Sequence, residues 1–383
     1  MAMLNEVCEL ITDGSHFSPK DIGEGFPMLS VKDMGERDFS FSSCKHISKT
    51  DYDILVKNGC KPQKGDVLVA KDGSYFKYAF QICEDREIVI LSSIAILRPK
   101  AEVLDAGYLR EFLMADSTYS TVSLNYISGT ALKRVILQGI KKIQIPLPPL
   151  EEQRRIAALL DKVSDLITKR RAQLDKLDLL VKARFVEMFG DPSVNTRWLT
   201  MKLSQLGELN RGVSKHRPRN DPRLLGGAYP LIQTGDVSNS GLYILSYSST
   251  YSELGLEQSR LWKSGTLCIT IAANIAQTSI LTFDACFPDS VVGFVPNDNT
   301  NSVFIHYWFS FFQKILEEQA PQVAQKNINL KILSDLDVIV PPYTLQETFS
   351  VFVSHVQKSK LMIQQSLDKL ETLKKAMMQQ YFG

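Results

Sequence analysis

The sequence has no long apolar run, since nothing in it approaches the roughly 18 consecutive apolar residues of a membrane-spanning helix. Its N-terminal stretch, MAMLNEVCELITDG, also lacks the basic-then-apolar pattern of a secretory signal. We therefore expect a soluble, cytoplasmic protein that has no membrane partner.

Paired cysteines are missing too, since no two of the six cysteines form a C-x-x-C pair. Neither a zinc site nor a disulfide framework is indicated by such spacing. We expect free thiols that are mostly buried, no bound metal and no cofactor. The cysteines are Cys8, Cys44, Cys60, Cys83, Cys268 and Cys286.

The common signatures of catalysis are absent. There is no G-x-x-x-x-G-K-[S/T], which excludes a P-loop ATPase, and no H-E-x-x-H zinc site. Residues 340–343, VPPY, resemble the N/D-P-P-Y signature of amino-methyltransferases, but Val340 cannot accept a hydrogen bond from a target amino group. No Gly-rich cofactor loop accompanies it. We therefore expect a chain without catalytic activity of its own.

The sequence also lacks an excess of charge of either sign, because 44 Lys and Arg residues are balanced by 42 Asp and Glu residues, for a net charge of +2. Composition alone therefore does not predict a nucleic-acid-binding protein, and any such contact must come from local basic surface. The length of 383 residues and the hydrophobic content of 44% predict two or three domains with sizeable cores.

The sequence does contain a long internal repeat. Residues 148–190 align without a gap with residues 341–383. The two copies share a Pro-Pro pair, a glutamine (Gln153 and Gln346), the tetrapeptide Leu-Asp-Lys-Leu and a closing Phe-Gly. A repeat of this length predicts two equivalent halves.

Both copies have the pattern of a long helix, because apolar residues recur with a period of 3.5, as in a coiled coil. Basic residues interrupt the apolar seam at different positions, which are Arg170 and Arg184 in the first copy and Lys360 and Lys374 in the second. Basic seam residues that faced their own copies would repel, so we expect the two helices to pair within one molecule. A helix of about 40 residues is a rod of roughly 60 Å, which suits a spacer.

The rest of the chain consists of two β-rich segments. Residues 1–145 contain short strand-like runs separated by turn residues, with a helical stretch over residues 106–114. Residues 198–340 repeat this plan at weaker identity. We expect an α+β fold with a pseudo-twofold repeat, in which two mostly-β domains alternate with two long helices. The expected segments are 1–145, 146–192, 193–340 and 341–383.

Several motifs together resemble the specificity (S) subunits of type I restriction-modification systems. They are IPLPPLEEQRRI at residues 145–156, the helix that follows, and MFGDP at residues 188–192. The resemblance extends over the whole chain and includes KGDVLVAKDG at 64–73 and GTLCITIAAN at 265–274. The second copy reads PYTLQ at 342–346 where the family has P-L-x-E-Q, but Gln346 and the register are kept.

The resemblance implies a DNA-reading subunit. Each target recognition domain would read one half of a bipartite sequence in double-stranded DNA, and an antiparallel coiled coil of the two helices would set the unread gap. The helices would dock two modification subunits, which methylate adenine with S-adenosylmethionine, and restriction subunits through them. The alternative is a non-enzymatic adaptor whose two β-rich domains bind proteins across a helical spacer.

Candidate DNA contacts lie in polar loops, because Lys and Arg hold phosphates and polar side chains read base edges. The first domain offers residues 70–78 and 128–134, and the second offers the densest basic stretch, 211–219, with residues 273–277 and 325–327. For each loop, ordinary solvated surface is the alternative. The candidates are Lys71, Ser74, Tyr75, Lys77, Thr130, Lys133, Arg134, Arg211, Lys215, His216, Arg217, Arg219, Asn274, Gln277, Gln325, Lys326 and Asn327.

Overall fold

The computed structural model describes residues 1–73, 75–128, 133–194, 197–272, 275–312, 315 and 328–383. These residues divide into two compact units. Unit 1 consists of Met1–Ala172 and Gln364–Gly383, and unit 2 consists of Gln173–Ile363. Each unit therefore joins one β-rich stretch to the beginning of one long helix and the end of the other.

Short strands and helices precede the first long helix. The strands are β1 (Ala2–Met3), β2 (Cys8–Asp13), β3 (Phe26–Leu29), β4 (Lys45–Ile47), β5 (Val67–Ala70), β6 (Ala79–Gln81), β7 (Val89–Ile90), β8 (Ile94–Pro99), β9 (Ile127–Ser128), β10 (Arg134–Val135) and β11 (Gln144–Ile145). The helices are α1 (Leu4–Val7), α2 (Lys49–Lys57), α3 (Ala106–Leu113), α4 (Asp116–Asn125) and α5 (Leu137–Lys141), with a 3-10 turn at Val31–Asp33.

Unit 1 has two principal sheets. The main sheet has the order β2-β8-β5-β6, and its neighbours are all antiparallel. The second sheet has the order β4-β3-β7, in which β3 and β7 are parallel. All four residues of β5 are buried, as expected for a central strand that is covered on both faces.

Helix α3 confirms the helical stretch predicted over residues 106–114. The side chain of Asp105 accepts a hydrogen bond from the N–H of Tyr108 at 2.9 Å and so caps the first turn. Tyr108 and Phe112 are buried, and their rings lie 5.1 and 5.8 Å from the ring of Phe382. The last residues of the chain are therefore part of the core of unit 1.

The first long helix, α6 (Leu150–Phe189), has 40 residues. Gly190 follows it with a φ of +83°, and its N–H donates to the carbonyl of Val186 at 2.8 Å. A left-handed residue of this kind ends a helix at little cost only when it lacks a Cβ.

Unit 2 follows the same order of elements. Its strands are β12 (Thr200–Lys202), β13 (Gly207–Arg211), β14 (Leu225–Leu231), β15 (Tyr243–Ile244), β16 (Ser249–Tyr251), β17 (Leu261–Trp262), β18 (Leu267–Thr270), β19 (Thr278–Leu281), β20 (Ala285–Cys286), β21 (Val291–Pro296) and β22 (Asp337–Ile339). Its helices are α7 (Thr234–Asn239), α8 (Glu253–Glu257), α9 (Ser302–Phe309) and α10 (Leu330–Ser334), followed by the second long helix, α11 (Tyr343–Phe382). Three 3-10 turns lie at Pro192–Val194, Leu203–Gln205 and Pro222–Leu224.

The sheets of unit 2 repeat those of unit 1 with one additional strand in each. The main sheet has the order β13-β21-β18-β19-β15, and the second has the order β16-β14-β20-β17. Strand β12 pairs with β22 beside the start of α11, as β1 pairs with β11 before α6. This repeat, combined with the two 40-residue helices, confirms the α+β fold predicted from the sequence.

The long helices pack against each other within unit 1. Ile156 and Leu160, near the start of α6, are buried in the same core as Met377 and Phe382, near the end of α11. The Arg171 guanidinium also donates to Glu371 Oε1 at 2.8 Å. The beginning of one helix thus meets the end of the other.

The complementary segments pack within unit 2. Val181 and Phe185, in the last part of α6, share a core with Phe349 and Val353 in the first part of α11. The rings of Phe185 and Phe349 lie 5.4 Å apart in an edge-to-face arrangement. In this unit too, the start of one long helix packs against the end of the other, so the helices form the antiparallel coiled coil that was expected.

Lys360 and Arg184, two basic residues of the predicted helical seam, have acidic partners. Lys360 Nζ donates to Asp178 Oδ1 at 2.6 Å, across the helix pair in unit 2. Arg184 Nη1 donates to Glu187 Oε2 at 2.7 Å along its own helix. These positions tolerate a charge because each cation has a carboxylate within reach, which agrees with pairing between different copies of the repeat.

The six cysteines are free thiols, and five are buried, as predicted; Cys83 is exposed. Burial raises the pKa of the Cys8 thiol to about 12, which keeps it uncharged and unreactive. Within the described part of the chain, no three His, Cys, Asp or Glu side chains are grouped so that they could hold a metal ion. No helix in that part is long and apolar enough to cross a membrane.

Candidate nucleic-acid interface

The two candidate stretches of unit 1 lie side by side. The N–H of Gly73 donates to the carbonyl of Lys133 at 2.9 Å, and the N–H of Val135 donates to the carbonyl of Lys71 at 2.8 Å. These bonds join the loop that follows β5 to strand β10. The structure therefore brings together two loops that are far apart in the sequence.

Lys133 and Arg134 are the exposed cations of this joined surface. Neither forms an ion pair with any residue that the structure describes. Their charges are therefore available to a phosphate, which is the sequence-independent part of DNA binding. The predicted contacts Ser74 and Thr130 lie outside the described residues.

Lys71 does not point its charge at this surface. Its side chain is buried, and Nζ lies 3.2 Å from Asp13 Oδ2 and 3.5 Å from Asp72 Oδ1. A buried ammonium between two carboxylates is committed to them, because leaving one partner alone in the interior is costly. The placement favours a role for Lys71 in fixing the loop, and its predicted contact with DNA stays a prediction.

Tyr75 is buried as well. Its ring stacks on that of Tyr119 with the centroids 5.5 Å apart, and its hydroxyl lies 3.3 Å from Ser123 Oγ. Lys77 is exposed, with Nζ 5.4 Å from the centroid of the Tyr78 ring. Tyr75 thus supports the loop by packing inside the protein, whereas Lys77 remains accessible.

In unit 2, the basic stretch 211–219 begins at the end of β13. Arg211 and Lys215 are exposed, and within the described chain neither has an ion-pair partner. Arg219 donates to both carboxylate oxygens of Asp289, at 2.6 and 2.8 Å. Arg217 Nη1 donates to the backbone carbonyl of His216 at 2.8 Å. Only part of this basic stretch therefore has uncompensated charge.

Asp221 anchors the same loop. Its carboxylate accepts hydrogen bonds from the side chain and the backbone N–H of Arg223, and His216 Nε2 lies 3.1 Å from Oδ2. The bonds from Arg223, with a smaller contribution from His216, hold the pKa of Asp221 well below its usual range. Asp221 therefore stays ionised and offsets some of the basic charge around His216.

The loop after β18 and the loop after β5 are closed by equivalent backbone hydrogen bonds. The N–H of Ala276 donates to the carbonyl of Thr270 at 2.8 Å, as that of Phe76 donates to Ala70 at 2.7 Å. Both Phe76 and Ala276 have positive φ, at 53° and 58°, which is uncommon for residues other than glycine. Equivalent loops of the two units therefore share an unusual conformation.

The predicted contact Gln277 lies in this second loop. Its side chain is exposed, while its carbonyl accepts a hydrogen bond from the N–H of Thr270 at 2.9 Å. The backbone at Gln277 is therefore held in place, while its side-chain amide stays accessible to solvent or a ligand. The other predicted contacts, Asn274, Gln325, Lys326 and Asn327, lie outside the described residues.

The predicted contact residues do not include the loop that follows β2, in which the sequence offered only His16, with ordinary surface as the alternative. Asp13 at the end of β2 binds Lys71, and Phe17 is 67% exposed. Two side-chain hydrogen bonds fix this loop. The hydroxyl of Ser15 donates to the carbonyl of Phe17 at 2.6 Å, and Lys45 Nζ donates to Ser18 Oγ at 2.6 Å. The neighbouring polar residues of the sequence DGSHFSPK were the available signal for it.

Comparison with known families matches nearly all of this chain. The family model described as "Type I restriction modification DNA specificity domain" matches residues 2–176 and again residues 195–377. The two matches fall on the two halves of the internal repeat.

Two curated relatives span most of the chain. The putative type I restriction enzyme MjaX specificity subunit of Methanocaldococcus jannaschii is 19% identical over 390 residues, which cover 98% of this chain and 90% of the relative. The type I restriction enzyme EcoBI specificity subunit of Escherichia coli is 22% identical over 378 residues, which cover 86% of this chain and 73% of the relative.

Two solved structures have the same fold. The type I restriction-modification system S subunit from M. genitalium has a TM-score of 0.59 and 14% identity, with 100% of this chain and 95% of that chain covered. A chain from a study of complex assembly and conformational transition of the type I R-M system also has a TM-score of 0.59, with 19% identity and coverage of 100% and 96%. With both halves of its sequence matched by the family model, this chain belongs to the type I restriction-modification DNA specificity family.

Proposed function

We propose that this chain is the DNA-reading subunit of a type I restriction-modification system. Residues 1–145 and 193–340 act as two target recognition domains, and each reads one half of a bipartite site in double-stranded DNA. The observation that carries this proposal is the pair of loops after β5 and β18, which are closed by equivalent backbone hydrogen bonds and have a positive φ at Phe76 and Ala276, but differ in their side chains. Because the side chains differ, the two domains recognise two different half-sites.

In unit 1, we place the phosphate contacts at Lys133 and Arg134. Both are exposed cations, and their strand is joined by backbone hydrogen bonds to the loop after β5. In unit 2, we place them at Arg211 and Lys215, whose charges have no ion-pair partner among the described residues. The exposed amide of Gln277 suits the N6 and N7 groups of adenine in the major groove.

The long helices act as the spacer and as the docking surface for partners. Exposed large apolar residues on both helices are our candidates for this docking surface. Two modification subunits that methylate adenine dock there, and restriction subunits are recruited through them. The exposed apolar residues are Leu159, Leu166, Leu179, Leu180, Val186, Val351, Leu361, Met362 and Leu373.

Exchange of one recognition domain tests the reading function. Residues 1–145 are replaced by the first domain of another specificity subunit, and methylated adenines are mapped across the genome of cells that carry the partner subunits. We expect one half of the methylated sequence to change and the other half to stay. An unchanged methylation pattern would overturn the assignment of DNA reading to these domains, and favour an adaptor.

Insertion of one heptad into both long helices tests the spacer. Seven residues add roughly 10 Å of helix, which corresponds to about three base pairs at 3.4 Å each. We expect the unread gap to lengthen by about that amount while both half-sites are kept. A two-residue insertion, which turns the apolar seam by about 200° away from its partner, is the matched control and should abolish methylation instead.

A further inference from the structure

The two units end their main sheets differently. In unit 2, strand β15 continues the sheet by lying parallel to β19, and the N–H of Ile280 donates to the carbonyl of Leu242 at 2.8 Å. In unit 1, β6 is the last strand of the sheet among the residues that the structure describes. One edge of the main sheet of unit 1 is therefore open.

The hydrogen bonds identify which backbone groups face away from β5 at this edge. One of them, the carbonyl of Gln81, accepts a hydrogen bond from the Cys83 thiol at 3.7 Å, which a ligand would have to replace. The N–H of Ile82 donates to the carbonyl of Asp66 at 2.8 Å, and the N–H of Leu281 makes the same bond to Thr266 at 2.9 Å. Ile82 thus corresponds to Leu281, and Gln81 corresponds to Ile280. Since alternate residues of an antiparallel strand bond to opposite sides, the N–H and carbonyl of Gln81 point away from β5.

At the point along the chain where unit 2 forms β15, unit 1 has a loop instead. Residues 34–44 connect β3 and the following 3-10 turn to β4, just as residues 240–248 connect β14 and α7 to β16. In unit 1 this loop crosses to helix α6, where Arg37 pairs with Asp165 and Glu36 lies 3.7 Å from Arg171. The loop, which we call the strap, leaves the outer edge of β6 without a paired strand among the residues that the structure describes.

A cavity of about 1240 Å³ lies between β6, the strap and the two long helices within unit 1. Its walls include Tyr78 and Gln81 on the sheet side and Ile167 and Ala376 on the helices. Pockets for small molecules have about 300–1,000 Å³, so this space suits a segment of polypeptide better.

The cavity lining is nearly neutral as a whole, and it is the lysines without partners that can meet an acidic ligand. Most of its acidic side chains are already paired, with Glu371 bound to Arg171 and Asp161 bound to Arg110 at 2.7 Å. Three lysines line it without an ion-pair partner in the described chain, against one such carboxylate. The lysines are Lys77, Lys374 and Lys375, and the carboxylate is Asp116.

We propose that this cavity binds an extended, acidic segment of a partner protein, which adds to β6 as a parallel strand. The backbone of the segment bonds to the N–H and carbonyl of Gln81, as Leu242 and its neighbours do for Ile280 in unit 2. Apolar side chains of the segment fill the cavity, and flanking carboxylates meet Lys374 and Lys375. Strand addition of this kind obtains affinity from the backbone and selectivity from the flanking side chains. The proposal does not rest on the DNA-reading function.

A synthetic peptide, Asp-Glu-Leu-Tyr-Ile-Glu-Asp, tests this site on the full chain. It carries the Leu-Tyr-Ile sequence of residues 242–244 between acidic flanks. Cys83 lines the cavity and is exposed, whereas the other five cysteines are buried, so alkylation of Cys83 reports on occupancy. We expect the peptide to slow this alkylation and to bind in a fluorescence anisotropy titration.

Charge reversal gives the first matched comparison. The double substitution Lys374→Glu and Lys375→Glu should weaken peptide binding roughly tenfold or more, because attraction becomes repulsion. Lys369→Glu, at an exposed position of the same helix that does not line the cavity, should leave binding unchanged. Equal binding by all three proteins, with folding checked by circular dichroism, would overturn the proposal.

N-methylation of the peptide isoleucine gives the second comparison. It keeps the side chain but removes the N–H that is to bond to Gln81, and we expect binding that is roughly fivefold weaker. Unchanged affinity would show that no strand is added. If a random-sequence DNA duplex protects Cys83 and the acidic peptide does not, the cavity binds nucleic acid and the proposal is wrong.

Discussion

Gln153 accepts a hydrogen bond from the backbone N–H of Asp105 at 2.9 Å, and thereby ties the start of helix α6 to the loop that precedes α3. Its Nε2 also donates to the carbonyls of Val103 and Pro148, at 3.0 and 2.8 Å. The side chain is completely buried and uses both ends of its amide. This glutamine therefore joins a recognition domain to the long helix that follows it.

Gln346 makes the equivalent junction in unit 2. Its Oε1 accepts from the hydroxyl of Thr300 at 3.0 Å, and its Nε2 donates to the carbonyls of Asn299 and Pro341, at 3.0 and 2.9 Å. A glutamine that appears in both copies of the repeat thus has one structural role. That role explains why an amide is present at a position where the rest of the helix buries apolar side chains.

Substitution of Gln346 should destabilise unit 2 in a characteristic order. Gln346→Ala leaves buried carbonyls and a hydroxyl without partners and should cost roughly 1–3 kcal/mol. Gln346→Glu should cost more, because a carboxylate would face the two carbonyls that now accept hydrogen bonds. Tryptophan fluorescence in a urea titration measures this, since all three tryptophans, Trp198, Trp262 and Trp308, lie in unit 2.

The matched control is Lys358, which is exposed on the same helix within unit 2. Lys358→Ala and Lys358→Glu should change the free energy of unfolding by less than about 0.5 kcal/mol. Equal effects at Lys358 and Gln346 would contradict the role of the buried amide.

The helices could be predicted from the sequence because the signal is local. A 3.5-residue period is visible in any short window, and the repeat of residues 148–190 at 341–383 predicted the pairing as well. The role of Gln153 could not be predicted, because its partner Asp105 precedes it by many residues and nothing in the local pattern connects them. The match between Gln153 and Gln346 in the two copies of the repeat identified the position, but not the contacts that the side chain makes.

The candidate DNA contacts were harder to predict, because the partners of a loop side chain also lie far from it in the sequence. Lys71 has the local sequence of a solvated loop lysine, and only folding places Asp13 beside it at 3.2 Å. In contrast, Lys133 and Arg134 stay exposed, as their polar surroundings suggested. Local sequence predicted that a residue lies in a loop, but not which way its side chain points.

Removal of the exposed cations of unit 1 should weaken DNA binding in a salt-dependent way. For the double substitution Lys133→Ala and Arg134→Ala, we expect the slope of log K against log salt concentration to fall by roughly 2, about 0.9 for each lost phosphate contact. Binding of the specificity subunit with its modification subunits to a duplex is followed by fluorescence anisotropy. Lys57→Ala, an exposed lysine at the end of α2, is the control and should leave the slope unchanged.

The basic loop of unit 2 allows a comparison among neighbouring residues. Arg211→Ala and Lys215→Ala should each reduce the salt slope by about 0.9, because their charges are uncompensated. Arg219→Ala should reduce it less, since Asp289 already binds this guanidinium with two hydrogen bonds. A larger effect of Arg219 than of Arg211 in the same titration would contradict this order.

Lys71 should affect stability more than DNA binding. Lys71→Met leaves the carboxylates of Asp13 and Asp72 without their buried cation and should cost about 3 kcal/mol. Circular dichroism in a denaturant titration measures this cost, and adding Asp13→Asn should recover part of it. A lowered salt slope for DNA binding with unchanged stability would instead assign Lys71 to the phosphates.

His306 should make unit 2 less stable in mild acid. Burial, together with the positive charge of Lys182, lowers the pKa of His306 to about 4, although its Nδ1 lies 2.9 Å from the hydroxyl of Thr278. In the unfolded chain the pKa is near its ordinary value of about 6.5. Between these two values the unfolded state binds more protons than the folded state, so stability falls as the pH decreases from 6.5 to 4.

The expected loss is at most about 1.4 kcal/mol for each pH unit across that window, and none above it. His306→Gln keeps a polar partner for Thr278 but cannot be protonated, so its tryptophan-detected urea midpoint should depend less on pH between 6.5 and 4. His355→Gln, at an exposed position on α11, should retain the wild-type dependence. If both variants follow the wild-type curve, the acid sensitivity of unit 2 arises from its carboxylates, which are protonated and lose their ion pairs as the pH falls and continue to do so below pH 4.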